Sequence, residues 1–389
     1  MKTETLTTSE KLAIYVHWPF CMSKCPYCDF NSHVANSLDV DDFIKGYLLQ
    51  LEQWHDILAG KHIESVYFGG GTPSLAPVRF FDIVLNKLAQ LAHLASDTEI
   101  TMEANPSSSE AAKFEQIRLA GVNRVSLGVQ SFNDKQLRFL GRAHSANEAY
   151  TAIEATAKTF PRYSFDLIYA LPEQSLSSWE EALSQALQLA NGHISLYQLT
   201  IEKGTPFYKA HKDGQFQLPD PEQAALMYEA TEAITSNAGY SAYEVSNYAM
   251  PGAQSRHNLA YWHYRDYLGI GPGAHSRLTI GNSKQAIVMW HNPGKWREMV
   301  AVGTREAIQE QQILSQEAQY EERIMMGLRV SNGIALEGLK NLDVVQDMVA
   351  QGLLNIAEAP DIDGVYKRML RPTLKGRLVL NYITGKILA

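Results

Sequence analysis

Leu12-Ala13-Ile14-Tyr15-Val16-His17-Trp18-Pro19-Phe20-Cys21-Met22-Ser23-Lys24-Cys25-Pro26-Tyr27-Cys28 sets the architecture. It opens as a short apolar and aromatic run, the pattern of a buried strand, and passes at Pro19 into a loop carrying cysteines in CxxxCxxC spacing. These are the three cysteines of the whole 389-residue sequence. An odd count at that density excludes a disulfide framework, so the cysteine chemistry is concentrated in one loop. Three thiolates on a short loop can each take one iron of a four-iron, four-sulfur cubane, leaving the fourth iron without a protein ligand. Such an open coordination position is what lets a metal site bind a reactant. Zinc is the alternative, with His17 or His33 near enough in sequence to be a fourth ligand. Three inert, apolar thiols are the bland reading.

The same alternation continues outward to about Thr200. Strands are expected at Leu12–His17, Ile63–Phe68, Glu99–Glu103, Asn123–Gly128, Tyr163–Ile168 and His193–Leu199. Between them lie helical patterns at Asp41–Leu58, Pro77–Leu94, Ser109–Ala120, Ala146–Lys158 and Ser177–Leu189, the last with a capping box from Ser177 to Glu180. Serial βα units make an α/β fold with a parallel sheet, either open or an incomplete (β/α)6 barrel, and place chemistry beyond the carboxyl ends of the strands. The polar and glycine-rich features fall at that end of successive strands. They are the cysteines, Gly69-Gly70-Gly71-Thr72-Pro73, Glu103, Gln130, Asp166, Gln198 and Thr200. Together they describe a rim.

Three regions follow: a partial barrel over 1–200 with its cysteine loop at 18–33, an irregular α+β extension over 201–310 with a helix at Glu222–Asn237, and a small helical, winged-helix-like domain over 311–389. The last contains a hairpin-like stretch near Leu354–Leu370. Its local basic residues, Lys367, Arg368, Arg371, Lys375 and Arg377, read more simply as a solvated face than as a docking patch. With 34 Lys+Arg against 42 Asp+Glu, a net −8, the chain lacks the basic footprint of a nucleic-acid binder. No apolar run approaches the ~20 residues of a membrane span, and the polar opening Met1–Thr5 lacks the core of a signal peptide. The expectation is a reduced, cytoplasmic protein with no transmembrane segment.

CxxxCxYC after one strand and GGGTP after the next resemble the radical S-adenosylmethionine (SAM) superfamily. That resemblance implies a [4Fe–4S] cluster held by Cys21, Cys25 and Cys28, with SAM on the open iron. It also implies an electron donor, whose electron cleaves the sulfonium to methionine and a 5′-deoxyadenosyl radical. Tyr15–Cys21, Phe68–Pro73, Met102-Glu103-Ala104-Asn105-Pro106, Gly128–Phe132 and Asp166–Tyr169 are, more closely, similar to the anaerobic coproporphyrinogen III dehydrogenase family, over about residues 12–280. By that likeness Tyr15 and the Tyr27 backbone line SAM, while Gly70, Gly71 and Thr72 meet its amino group. Arg142 pairs with its carboxylate, Glu103 contacts the methionyl end, and Gln130 and Asp166 reach the ribose.

Two departures separate the chain from the dehydrogenases. Phe30 stands where they carry a further cysteine, and the first strand begins near the N-terminus. Both are shared with the related heme chaperones, the HemW group, which Cys25–His33 and Arg256-His257-Asn258-Leu259-Ala260-Tyr261-Trp262 resemble. The second stretch matches that group's HNxxYW heme signature. The likeness implies His257 as an axial iron ligand, with Tyr261 and Trp262 offering flat surface to the porphyrin; His263 and His275 are competing ligands. The function implied is a heme chaperone that passes heme to an acceptor protein, a respiratory cytochrome being one candidate. The alternative is oxidative decarboxylation of coproporphyrinogen III. Radical modification of RNA is disfavoured by the acidic balance.

Overall fold

The computed structural model describes residues 10–34, 39–362 and 364–389. Six parallel strands lie side by side in chain order: β1 (Lys11–Trp18), β2 (His62–Gly70), β3 (His93–Ala104), β4 (Arg124–Gln130), β5 (Arg162–Tyr169) and β6 (His193–Gln198). Leu12, Ala13, Ile14 and Val16 of β1 are all fully buried. Such continuous burial belongs to a parallel strand covered on both faces, and it explains the apolar runs of the sequence. The covering helices are amphipathic. Val78–Leu91 turns Phe80, Phe81, Val84, Leu85 and Leu88 inward, which is one face at helical period.

Helix ends follow side-chain chemistry. Ser145 and Glu148 form a reciprocal capping box at the start of Ala146–Thr159. The box expected at Ser177 and Glu180 is absent. The cap is Ser175, whose Oγ accepts from Ser178 N, and the helix runs Leu176–Leu189, so Ser177 is already inside it. Three nearby serines offered the same chemistry, and the chain became helical at the earliest. The third strand starts earlier than expected, at His93, so Leu94 lies in strand rather than helix.

The sheet grows at both edges. Beyond β6, β8 (Asn247–Ala249) pairs antiparallel, followed by the short β7 (Ser241–Ala242). On the other side β9 (Tyr267–Ile270) pairs parallel with β1, Ala13 opposite Tyr267 and Val16 opposite Ile270. Antiparallel β10 (His275–Ile280), β11 (Ser283–Met289) and β12 (Ile308–Ile313) complete a 12-stranded sheet. The segment that read as irregular therefore extends the barrel sheet.

The C-terminal region has its own core of Leu328, Val345, Met348, Leu370, Ile383 and Ile387. Around it a hairpin of β14 (Leu354–Pro360) and β15 (Tyr366–Pro372), joined by β13 (Ile334–Ala335), packs with helices Gln316–Gly327, Leu342–Ala350 and Leu380–Leu388. Its basic residues are engaged locally: Arg371 Nε donates to Asn332 O at 3.1 Å and Lys375 Nζ to Gln351 O at 3.3 Å. Arg377 lies 3.6 Å from Glu232 of helix Pro221–Asn237. Among the described residues no helix is long and apolar enough to cross a membrane.

Candidate functional site

The cysteine loop is pinned to the rim by backbone hydrogen bonds. Gly71 N donates to Trp18 O at 2.7 Å, Thr72 N to Phe20 O at 2.9 Å and His33 N to Pro19 O at 2.7 Å. Cys28 N closes a turn onto Cys25 O, and Phe207 N holds Pro26 O at 3.0 Å. All three cysteines are free and half-buried. Burial pushes the Cys21 and Cys28 thiols up from their ordinary range.

A hydrogen-bonded path joins two of the sulfurs through the ends of separate strands. Thr72 Oγ1 donates to Cys21 Sγ at 3.4 Å and accepts from Asn105 Nδ2 at 3.1 Å. Asn105 Oδ1 accepts from Arg142 Nη2 at 2.5 Å, and Arg142 Nη1 donates to Cys25 Sγ at 3.4 Å. Arg142 Nη2 also holds Gly128 O at 2.8 Å. Donors aimed at sulfur favour the thiolate, the form that ligates metal. Arg142 Nε is buried without a partner, which leaves its charged N–H open to an anion. Asn105 was not singled out in the sequence; its only signal was its place in Met102–Pro106.

The glycine run is a cradle that side chains would fill. Gly70 has φ +113, and a Cβ there would lie 2.5 Å from the His17 ring; at Gly71 it would lie 2.7 Å from Phe20 O. Only glycine fits both positions. Beside the cradle, Glu103 accepts from Tyr67 OH at 2.8 Å and from Gly70 N at 3.1 Å. Burial raises its carboxyl to about 7, and raises that of Asp166, which accepts from Ser126 Oγ at 3.3 Å, to about 6. Gln130 sits at φ 67 with its Oε1 buried and unpaired. Strain and an orphaned acceptor at a strand end are marks of a binding position. Tyr15 OH is 2.9 Å from His17 Nδ1, and the Tyr27 ring leans on Phe207 with centroids 6.2 Å apart.

These features fit a cluster better than a zinc ion. His17 Nδ1 is bonded to Tyr15 and its Nε2 to Asn31 O at 2.9 Å, while His33 Nε2 pairs with Asn31 Oδ1 at 3.0 Å. Both ring nitrogens of His17 are thus engaged, and so is Nε2 of His33. Among the described residues no three His, Cys, Asp or Glu side chains converge as on a single ion.

Above the rim opens a cavity of about 1020 Å³, lined by Tyr15, Tyr67, Glu103, Tyr197, Tyr261 and Trp262 among others. That is the upper end of the range of about 300–1,000 Å³ for small-molecule sites. Tyr261 and Trp262 end the helix Arg256–Trp262, which Ser255 caps by accepting from Asn258 N. His257 does not share their position. It is 0% exposed, with Nδ1 3.0 Å from Ser65 Oγ and its backbone N–H on Glu99 Oε1 at 3.2 Å. Its ring stacks on Tyr67 at 4.8 Å and meets Tyr261 edge-on at 5.3 Å. Nε2 is unpaired, yet these rings shut it off from the cavity. Burial lowers His257 to about 3, so it is neutral. His263 is not on the cavity wall; His275 is.

Residues 15–186 match the Radical SAM superfamily model. The chain is 40% identical over 334 residues to radical S-adenosyl methionine domain-containing protein 1, mitochondrial, of Bos taurus, covering 84% of this chain and 75% of that protein. It is 41% identical over 275 residues to heme chaperone HemW of Escherichia coli (strain K12), covering 70% of this chain and 72% of that protein. Among solved structures, coproporphyrinogen III oxidase (HemN) of Escherichia coli superposes with a TM-score of 0.80 at 21% identity, over 98% of this chain and 91% of that one. At that identity the likeness concerns the fold.

Proposed function

Because this chain belongs to the radical SAM superfamily, we propose that it is a heme chaperone: it binds heme in the cavity above its cluster loop and passes it to an acceptor protein. The superfamily implies a [4Fe–4S] cluster and SAM. The observation that carries the heme reading is the cavity itself, about 1020 Å³, whose wall combines the flat rings of Tyr261 and Trp262 with Asp29, Phe30 and Asn31 of the cluster loop. The 41% identity to a protein called heme chaperone HemW supports the same reading.

Cys21, Cys25 and Cys28 would hold the cluster, and SAM would complete the open iron. When bound, the pair supplies one-electron reductive cleavage of the sulfonium, given a donor. This chain's own residues bind and orient. Gly70 and Gly71 open the cradle for the methionyl amino group, with Thr72 beside it. Glu103 offers that ammonium a carboxylate. Arg142, whose Nε is buried without a partner, would hold the carboxylate, and Gln130 and Asp166 would accept from the ribose. Tyr15 and the Tyr27 backbone close the sides. Three free thiols and a cluster are in keeping with a reducing compartment such as the cytoplasm. The acceptor would be a hemoprotein apo-form, such as a respiratory cytochrome.

Decarboxylation of coproporphyrinogen III is the second reading, resting on the fold. Against it, Phe30 is 60% exposed beside the cavity where the dehydrogenases carry a cysteine. One anaerobic experiment separates the two. The chain is reconstituted with iron and sulfide, then given hemin in one arm, and coproporphyrinogen III with SAM and a reductant in the other. A Soret shift without carbon dioxide release is expected; enzymatic release of carbon dioxide overturns the chaperone reading.

A further inference from the structure

His257, the imidazole of the heme signature, is sealed beneath three tyrosine rings, Tyr67, Tyr15 and Tyr261, at centroid distances of 4.8, 6.2 and 5.3 Å. Iron could reach its Nε2 only if those rings moved apart. Two other imidazoles already stand on the cavity wall. His275 opens β10, opposite Val288 of β11, and His291 follows the end of β11. The hairpin therefore sets the two rings side by side, centroids 6.2 Å apart and inclined by 66°. Both are exposed and both line the cavity with Phe30, Tyr261 and Trp262.

Their nitrogens are also available. His17, His33 and His257 each have a ring nitrogen in a hydrogen bond. His275 and His291 make no ring hydrogen bond to a described residue. The pair is held by the cysteine loop: Asn31 Nδ2 donates to Pro272 O at 3.1 Å and to His291 O at 3.0 Å. Gly273, at φ +73, makes this approach possible, since a Cβ there would lie 2.3 Å from Asn31 Nδ2 and 3.1 Å from His291 Nδ1. The imidazole pair and the cluster loop thus share one anchor.

We infer that the iron of a heme in this cavity is ligated from the His275–His291 pair and not by His257. The assignment rests on the heme reading above. Imidazole nitrogens on a hairpin, beside aromatic faces for the macrocycle, are the chemistry that heme iron takes.

The test is anaerobic hemin titration of the full-length chain, followed by the Soret band and the low-field electron paramagnetic resonance spectrum. The double variant His275→Ala/His291→Ala should lose the Soret shift while keeping its thermal transition, because both side chains are exposed. At least one single variant should shift the ferric spin state. His257→Ala is the opposing arm. A shift that survives the double variant, or is lost in His257→Ala alone, overturns the assignment but leaves the heme reading standing. A wild-type chain that gives no shift removes the heme reading and the assignment together.

Discussion

Asn105 Oδ1 accepts from Arg142 Nη2 at 2.5 Å while its amide donates to Thr72 Oγ1 at 3.1 Å, so one side chain links the donors that serve Cys21 and Cys25. Hydrogen bonds to a charged group are worth about 1.5–3 kcal/mol. Asn105→Ala removes one and frees the guanidinium to swing away from its carboxylate-binding orientation. Iron and sulfide content should stay at the wild-type level, because no cysteine changes. Affinity for SAM should fall by roughly tenfold or more, the equivalent of about 1.4 kcal/mol. Isothermal titration of the reconstituted protein measures it; unchanged SAM affinity would mean that Asn105 merely packs.

Gly70→Ala tests the cradle. The left-handed backbone at φ +113 and a Cβ 2.5 Å from the His17 ring combine strain with a clash. The clash falls on His17, whose two nitrogens tie Tyr15 to the cysteine loop at Asn31. A non-glycine residue in such a position costs on the order of 1–3 kcal/mol. The variant should melt several degrees lower and lose SAM binding. Retention of both the melting temperature and SAM affinity would show that the turn has room to relax.

The six barrel strands and the chemistry at their carboxyl ends were legible because both follow local rules. Strands buried on two faces read as apolar runs, and CxxxCxxC and GGGTP carry their spacing in the sequence. The pairing of β9 with β1 was not legible. Tyr267–Ile270 is four residues long and meets Ala13–Val16 across most of the chain, which no local pattern reports. Asn105 escaped for the same reason: its partners, Thr72 and Arg142, lie 33 and 37 residues away. His257 shows the limit of a motif. The sequence marks which residues stand together, but not which of them a helical turn faces inward; here Tyr67 and Ser65 of β2 cover the histidine and leave Tyr261 and Trp262 at the cavity.

Glu103 makes the stability of the unliganded chain depend on pH in a definite direction. Burial raises its folded-state pKa from 4.5 to about 7. A carboxyl raised on folding binds protons in the folded state, so its favourable contribution is full below about 4.5 and is lost as pH rises to about 7. One pKa unit corresponds to about 1.4 kcal/mol, so the loss is on the order of 3 kcal/mol. Asp166, raised to about 6, adds to the lower part of that window. Glu103→Gln cannot ionise and should flatten the slope of denaturation midpoint against pH between 5 and 7. An identical slope in the variant would assign the proton to another group.

Glu99 should behave in the opposite sense, and it anchors the heme-signature helix from below. Its side chain is fully buried, accepts from Arg162 Nη1 at 2.7 Å and from His257 N at 3.2 Å, and is also 3.4 Å from Ser255 Oγ. Burial pushes the carboxyl up, but the Arg124 and Arg162 guanidinium groups and the His257 N–H outweigh it and hold it below the usual range. A depressed carboxyl stabilises above its unfolded value, and that stability fades as pH falls through the folded one. Removing one partner of a buried ion pair costs about 3–5 kcal/mol; Arg162 is 33% exposed and can recover water, so Glu99→Gln should cost about 2 kcal/mol at neutral pH. The difference from wild type should shrink toward acid. Thermal melts at pH 7 and pH 4 check both statements, with SAM affinity expected to hold because Glu99 lies back along β3 from Glu103, bonded to Arg162 and the His257 N–H and not to the glycine cradle. A variant as stable as wild type at pH 7 would show that Arg162 and the Ser255–His257 turn do not depend on this carboxylate.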